Sequence, residues 1–269
     1  MLRNVRVFYA KRGRMKYVSH LDMNRYMVRL FKTAKIPAWY TEGFNQHLYL
    51  TFALPLSLGI TADYDVIDLK IVDDCFTDEM IFNSLKEKAA EGIEILRVSE
   101  PWCKVPELKF ASYTLTYKDS DCNLLKDMER LFHSNAILAE KKGKKNRVTL
   151  LNLAEKIKHI ETDLREDTLT VKVVLPAGND ENINPQLFLQ SFESAGNRKP
   201  EVVLINRDML FTENMQKFEK QKKCCQNNLK GLKQYKRPLG VLMLNGLFVC
   251  EFFAEQIGHY QHRRGQCTP

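Results

Sequence analysis

The stretch Thr41-Glu42-Gly43-Phe44-Asn45-Gln46-His47-Leu48-Tyr49-Leu50-Thr51-Phe52-Ala53-Leu54-Pro55-Leu56-Ser57-Leu58-Gly59 decides how the chain folds. Gly43 and Asn45 tolerate positive φ, so Glu42-Gly43-Phe44-Asn45 reads as a tight turn. Leu48 to Leu54 reads as a strand closed by Pro55 and Gly59. This turn-and-strand unit sits between a helix pattern before it and a second strand pattern after it. The neighbouring elements therefore set the architecture.

Working upstream, Arg3 to Ala10 alternates, with Val5 and Val7 on one face and Arg6 and Phe8 on the other. That predicts a strand with one buried side. Lys11-Arg12-Gly13-Arg14 follows as a basic turn, with Met15 to Val18 as an extension of the strand. Ser19 is a natural N-cap, with Asp22 placed to favour the positive end of the helix dipole. From there Met23, Met27, Leu30, Phe31 and Ala34 recur at three and four and predict a helix to about Lys35, ended by Pro37. Arg25, Arg29 and Lys32 recur on its other face.

Working downstream, Asp63 to Val72 alternates as a strand. Thr77 caps a helix carrying Ile81, Leu85 and Ala89, Gly92 stops it, and Ile93 to Val98 is a fourth strand. The order strand, helix, strand, strand, helix, strand is a split βαβ of ferredoxin-like type. Pro101, Trp102 and Pro106 mark a linker, and the plan then repeats in element order. Phe110 to Tyr117 is a strand and Cys122 to His133 a helix. A hairpin runs around Lys141 to Lys145. Ile157 to Leu164 and Thr168 to Leu175 are a strand pair, Asn184-Pro185 opens a helix, and Glu201 to Phe211 is the last strand. The fold class expected is α+β, with two ferredoxin-like units in tandem over 1–105 and 106–213 and an extra C-terminal appendage. That appendage, 214–269, is expected to be a lysine-rich, mobile tail.

Composition narrows the function classes. The chain has 269 residues, a net charge of +8, and 44% hydrophobic and 28% charged residues, which is ordinary globular composition. The charge is uneven: residues 1–35 hold ten basic side chains against one acid, Asp22. Such asymmetry suits an anionic partner and equally a solvated basic surface. The seven cysteines include no C-x-x-C pair, so a locally held zinc or iron–sulfur site is unsupported. The odd count and the absence of a signal peptide predict reduced thiols in the cytoplasm. No apolar run is long enough to span a bilayer. GxxxxGK[ST], GxGxxG and GxSxG are all missing, which argues against a P-loop, a Rossmann site and a hydrolase elbow.

Two polar groups carry the candidate chemistry. Ser19-His20-Leu21-Asp22 lies at a helix start, and Glu42 to His47 lies on the turn before the next strand. If the turn folds back beside the helix, His20, Asp22, Glu42, Asn45 and His47 form one polar cluster. Two histidines with a carboxylate suit general acid–base work or, as weak candidates, His20 and His47 a divalent metal. The structural alternative is that Ser19 and Asp22 cap, Gly43 and Asn45 turn, and the histidines bond to nearby backbone. The basic residues Lys11, Arg12, Arg14, Lys16, Arg25, Arg29 and Lys32 interleave with Tyr9, Tyr17, Tyr40, Phe44 and Tyr49. Aromatics beside cations on such a sheet suit RNA, where bases stack and phosphates pair. Core aromatics beside solvated lysines remain the alternative.

Val7-Phe8-Tyr9-Ala10-Lys11-Arg12-Gly13-Arg14-Met15-Lys16-Tyr17-Val18-Ser19-His20-Leu21-Asp22, then Tyr40 to His47 and Phe52 to Gly59, resemble a bacterial domain family of unknown function. That family is found beside, or fused behind, cobalamin-binding radical SAM proteins. Gln46 and Leu48 stand where its pattern usually has Pro, and the chain after about Thr212 lies outside the resemblance. The resemblance implies a radical SAM protein as partner and a role as accessory protein, binding RNA or presenting a substrate to that enzyme. No DNA or membrane partner is expected, and no cofactor of its own. An iron–sulfur cluster, S-adenosylmethionine and cobalamin would belong only to the partner. The alternative function is an RNA-processing or RNA-modifying enzyme using His20 and His47.

Overall fold

The structure, a computed structural model, describes residues 2–73, 75–118, 120, 122–134, 136–142, 148–194 and 201–218. The expected tail therefore lies outside the described residues from 219 onward. The first half runs β1 (Arg3–Lys11), α1 (His20–Thr33), β2 (Leu50–Phe52), β3 (Ile60–Ile71), α2 (Asp78–Lys88) and β4 (Ile93–Ser99). The second runs β5 (Leu108–Lys118), α3 (Cys122–His133), β6 (Leu138–Lys142), β7 (Val148–Asn152), β8 (His159–Arg165), β9 (Thr168–Pro176), α4 (Leu187–Ser194) and β10 (Glu201–Thr212).

Eight strands form one sheet in the order β4-β1-β3-β10-β5-β9-β8, with β2 also paired to β3, while β6 and β7 form a separate hairpin. Each half has its fourth strand beside its first, its first beside its third and its third beside its second, all antiparallel. That is the arrangement expected of a split βαβ unit, with the β6–β7 hairpin inserted in the second. The class is α+β, as the element order predicts.

The halves join through β3. At twelve residues it is long enough to pair along one edge with two strands: β10 in parallel at Ile60 to Ala62, and β2 at Ile67 to Leu69. The parallel contact spans only Ile205↔Ile60, Asn206↔Thr61 and Arg207↔Ala62.

One core lies where Val5, Val7, Ile67 and Leu69 meet Met23, Met27, Leu30 and Phe31 of α1 and Ile81 and Leu85 of α2. The other gathers Leu115, Tyr117, Val171, Met128, Phe188 and Phe192, and extends to Phe8, Tyr64 and Phe218. Ser19 accepts from the Asp22 amide and Thr77 from the Met80 amide, so both caps read from sequence form. Tyr26 on α1 accepts a hydrogen bond from the Ala90 amide at 2.8 Å and ties the end of α2 to α1.

Four local expectations change. β1 is buried on both faces, not one, because α1 and α2 pack on its Val5–Val7 side and its Arg6–Phe8 side is covered by Cys103 and Phe218. Met15 to Val18 does not prolong β1: Gly13, at φ +56°, turns the chain into a 3-10 turn over Gly13–Tyr17. The strand expected over Leu48 to Leu54 shrinks to Leu50–Phe52, because Tyr40 and Leu48 pair with each other and leave β3 only the residues after them. The last helix starts at Leu187, after Asn184 has used its side chain to accept from the Gln186 amide at 3.0 Å.

Candidate functional site

Helix α1 and the hairpin that follows it position the residues singled out from sequence. Ser19 accepts from the Asp22 amide at 3.1 Å and donates to the Asp22 carboxylate at 2.7 Å. Asp22 also takes Arg25 at 3.0 Å. The Ser19 hydrogen bond first, then that to Arg25, hold the Asp22 carboxyl below its ordinary range. Asp22 is thus engaged as a capping group.

His20, the first residue of α1, is half-buried and sets its ring edge-on against Phe52, 4.9 Å between centroids. Burial lowers its pKa. Asp65 opposes that shift, while Lys11 and Arg207 add to it. The net direction favours the neutral imidazole. His47 lies elsewhere, in the hairpin turn, where its Nδ1 is 3.0 Å from Thr41 Oγ1 and 3.2 Å from the Asn45 carbonyl. Its amide donates to Thr41 Oγ1 at 3.2 Å. Glu42 and Asn45 are exposed on the same turn. Among the described residues, no hydrogen bond or ring contact joins His20 to His47, and no group of three His, Cys, Asp or Glu side chains is placed to hold a metal ion.

The seven basic residues divide. Lys11 is buried, not at the surface, and its Nζ donates to the Val18 carbonyl at 2.9 Å. Arg12 is exposed but pairs with Asp63 at 2.8 Å and Glu94 at 3.4 Å. Arg14, Arg25, Arg29 and Lys32 are exposed and Lys16 half-exposed. Arg25, Arg29 and Lys32 recur along one side of α1 with Leu21 (60% exposed), and Arg14 and Lys16 lie on the turn before it. Lys16 stands over the Tyr17 ring at 5.1 Å and Lys32 over the Tyr40 ring at 5.7 Å, so an aromatic closes each end of the stripe. A fourteen-residue helix is about 20 Å long, which sets the stripe's length.

Beneath the start of α1 lies a charged cluster that sequence reading missed. Arg207 from β10 donates to Asp65 of β3 at 2.6 Å, and both side chains are 1% exposed. The same guanidinium reaches the Leu54 carbonyl at 3.1 Å and the Pro55 carbonyl at 3.4 Å, so it also holds the end of the opening stretch. Tyr9 donates to Asp65 at 3.2 Å. Burial, reinforced by Asp65, pushes the Tyr9 phenol well above its ordinary value, and burial likewise raises Tyr113. Burial lowers Lys11, with Asp65 opposing. Around the same parallel contact, Asn206 donates to Asp63 at 2.6 Å and to Asp208 at 2.7 Å and accepts from Thr61 at 2.7 Å, and Thr114 donates to Asp208 at 2.7 Å. The one available signal was a set of charged residues (Arg6, Lys11, Asp65, Arg207) inside otherwise apolar strands, where charges stay only if paired.

A family model described as "Uncharacterized protein conserved in bacteria (DUF2344)" matches residues 4–185, more than half of the chain. The match carries no word of a radical SAM neighbour. No curated protein matches. Among solved structures, a Cbf5–Nop10–Gar1 complex is similar at 10% identity and a TM-score of 0.43, over 77% of this chain and 50% of that one. The chain thus spans about half the length of that relative. An unknown protein from Galdieria sulphuraria is similar at 13% identity and a TM-score of 0.23, over 65% of this chain and 84% of that one. Both are distant likenesses. No helix among the described residues is long and apolar enough to cross a membrane.

Proposed function

The chain belongs to a family of uncharacterized proteins conserved in bacteria, and from that premise we propose that it is an accessory protein that binds RNA along α1. The observation that supports this reading is the stripe itself. Arg25, Arg29 and Lys32 are exposed on α1, exposed Arg14 and half-exposed Lys16 lie on the turn before it, Asp22 is the acid among them, and Tyr17 and Tyr40 stand beside Lys16 and Lys32. Cations that track a phosphate backbone, with rings on which bases stack, are the two components of sequence-tolerant single-strand binding. Fluorescence anisotropy of a labelled RNA tests it. Affinity is expected to fall steeply with salt, and replacing Arg25, Arg29 and Lys32 together by Ala flattens the slope of log K against log salt by about 2. Salt-independent binding, or none, overturns it.

In the same reading the chain holds RNA, or another substrate, for a radical SAM enzyme, whose iron–sulfur cluster, S-adenosylmethionine and cobalamin supply the chemistry. Affinity purification from the native host, with both RNA and protein identified, tests this part. Recovery of the chain with no radical SAM protein removes it.

A second reading rests on His20: an enzyme acting on RNA with His20 as proton acceptor. Burial first lowers the pKa of its imidazole, and that favours the role, since perturbed groups concentrate at functional sites. Turnover by the isolated protein, abolished by His20→Ala without unfolding, is its requirement. Inertness on a broad RNA pool ends it.

A further inference from the structure

The hairpin between Tyr40 and Tyr49 ends in a phenyl ring that the fold does not use. Phe44 is fully exposed, at 103% of the reference area, beside Gly43 at φ +114°. Burying such a ring stabilises a protein by about 1.5–3 kcal/mol, and the isolated chain recovers none of that here.

The turn that presents it is braced. Thr41 donates its amide to the His47 carbonyl at 2.8 Å, and the His47 amide and ring both contact Thr41 Oγ1. Tyr40 bridges to Leu48, and Leu48 is buried in the α1 core. At the base, the Trp39 amide donates to the Lys70 carbonyl at 2.8 Å, and Lys70 Nζ lies 5.0 Å from the Trp39 ring centre and 4.9 Å from that of Tyr49. The hairpin is also continuous with the basic stripe, because Lys32 at the end of α1 stands over Tyr40.

We infer that this hairpin is a base-stacking prong, with Phe44 as the stacking ring, which turns the α1 stripe toward unpaired RNA and away from duplex. The inference rests on the RNA-binding reading above and deepens it. A braced turn has little backbone freedom left to lose when a base stacks on the ring it carries. Every base offers a π-face, whereas a base inside a duplex has both faces already covered by its neighbours. Lys32 stands over Tyr40 at the base of the same hairpin, so in this arrangement the charges of the stripe hold any RNA through its phosphates and the ring selects the unpaired one. His47 in this arrangement braces the turn.

The experiment uses the full chain and one labelled RNA oligonucleotide, single-stranded or annealed to its complement, measured by anisotropy at fixed low salt. Wild type is expected to prefer the single strand. Phe44→Ala weakens single-strand binding by about 5- to 150-fold, the loss of one stacked base. It leaves duplex binding unchanged, and Phe44→Tyr retains the preference. Because Phe44 touches none of the core, the substitution spares the fold. Replacing Arg29 and Lys32 weakens both forms alike. If Phe44→Ala binds single strands as wild type does, the prong is overturned. If wild type binds single strand and duplex equally, with the charge variants lowering both, RNA binding stands and the prong falls. If wild type binds no RNA, both fall.

Discussion

Arg207 on the last strand and Asp65 on the third lie 2.6 Å apart, each 1% exposed, and they are the ion pair at the point where the two halves of the sheet meet. Lys11 sits close enough to couple to both. One carboxylate therefore answers two buried cations, and the consequences of changing either partner differ.

Asp65→Asn is expected to be the more damaging change, because it leaves Lys11 and Arg207 buried together with no carboxylate. Arg207→Met removes one of the two cations and leaves Asp65 with Tyr9 and Lys11. Breaking a buried pair from one side costs about 3–5 kcal/mol. Equilibrium urea unfolding of both variants checks this, and a loss below about 1 kcal/mol for Asp65→Asn would show that the pair is not buried as described.

Arg6 depends on its fork. Its Nε and Nη2 each meet Asp68 at 2.7 Å, Nη2 also reaches the Cys103 carbonyl at 2.9 Å, and its guanidinium carbon lies 4.5 Å from the Phe218 ring centre. Lys keeps the charge but not the planar pair of donors, so Arg6→Lys is expected to cost about 2 kcal/mol. It also speeds hydrogen exchange at the Phe218 amide, which donates to the Leu210 carbonyl at 2.8 Å. Unchanged exchange there would mean that Arg6 does not hold this segment.

Gly92 admits no side chain. Its φ is +86°, and an added Cβ would lie 2.8 Å from both the Arg12 carbonyl oxygen and Met15 Cγ. Gly92→Ala therefore carries the left-handed cost of about 1–2 kcal/mol plus a backbone contact too short to keep. Its stability should fall by on the order of 2 kcal/mol or more in thermal or urea unfolding, and a neutral result contradicts the close approach.

His20 makes stability depend on pH. Its folded pKa lies below its ordinary value of roughly 6.5, so as pH falls through that value the unfolded chain takes up the proton first. Its contribution is present in full above about pH 6.5 and is lost as pH drops toward the folded value. Between about pH 7 and pH 5, wild type is expected to lose more stability than His20→Gln. Equal losses would remove the linkage, and a His20 resonance titrating above about 6.5 would reverse its sign.

Much of the first half is legible without coordinates. Ser19 and Thr77 are local devices, since a hydroxyl accepts an amide from three residues on. The α1 stripe follows from a period of 3.6, which puts Arg25, Arg29 and Lys32 on the side opposite Met23, Met27 and Leu30. His20 and His47 are different. Their surroundings depend on how the chain folds back: His20 sets its ring against Phe52, while Thr41 and the Asn45 carbonyl take the His47 ring.

Local pattern is enough for the order of elements, the caps at Ser19 and Thr77, the turn at Gly43 and the basic outward side of α1, because each depends on residues within a few positions of one another. Only the tertiary structure decided that β3 pairs with β10 in parallel. That contact makes Lys11, Asp65 and Arg207 interior residues, joining positions 142 apart in the chain. Whether a charged residue in an alternating strand faces water or a buried partner depends on which strands lie beside it, and no local pattern carries that information. It also placed the Thr41 to Gly59 stretch: its first part became a braced hairpin ending in an exposed ring, and its last part became the two carbonyls that receive Arg207.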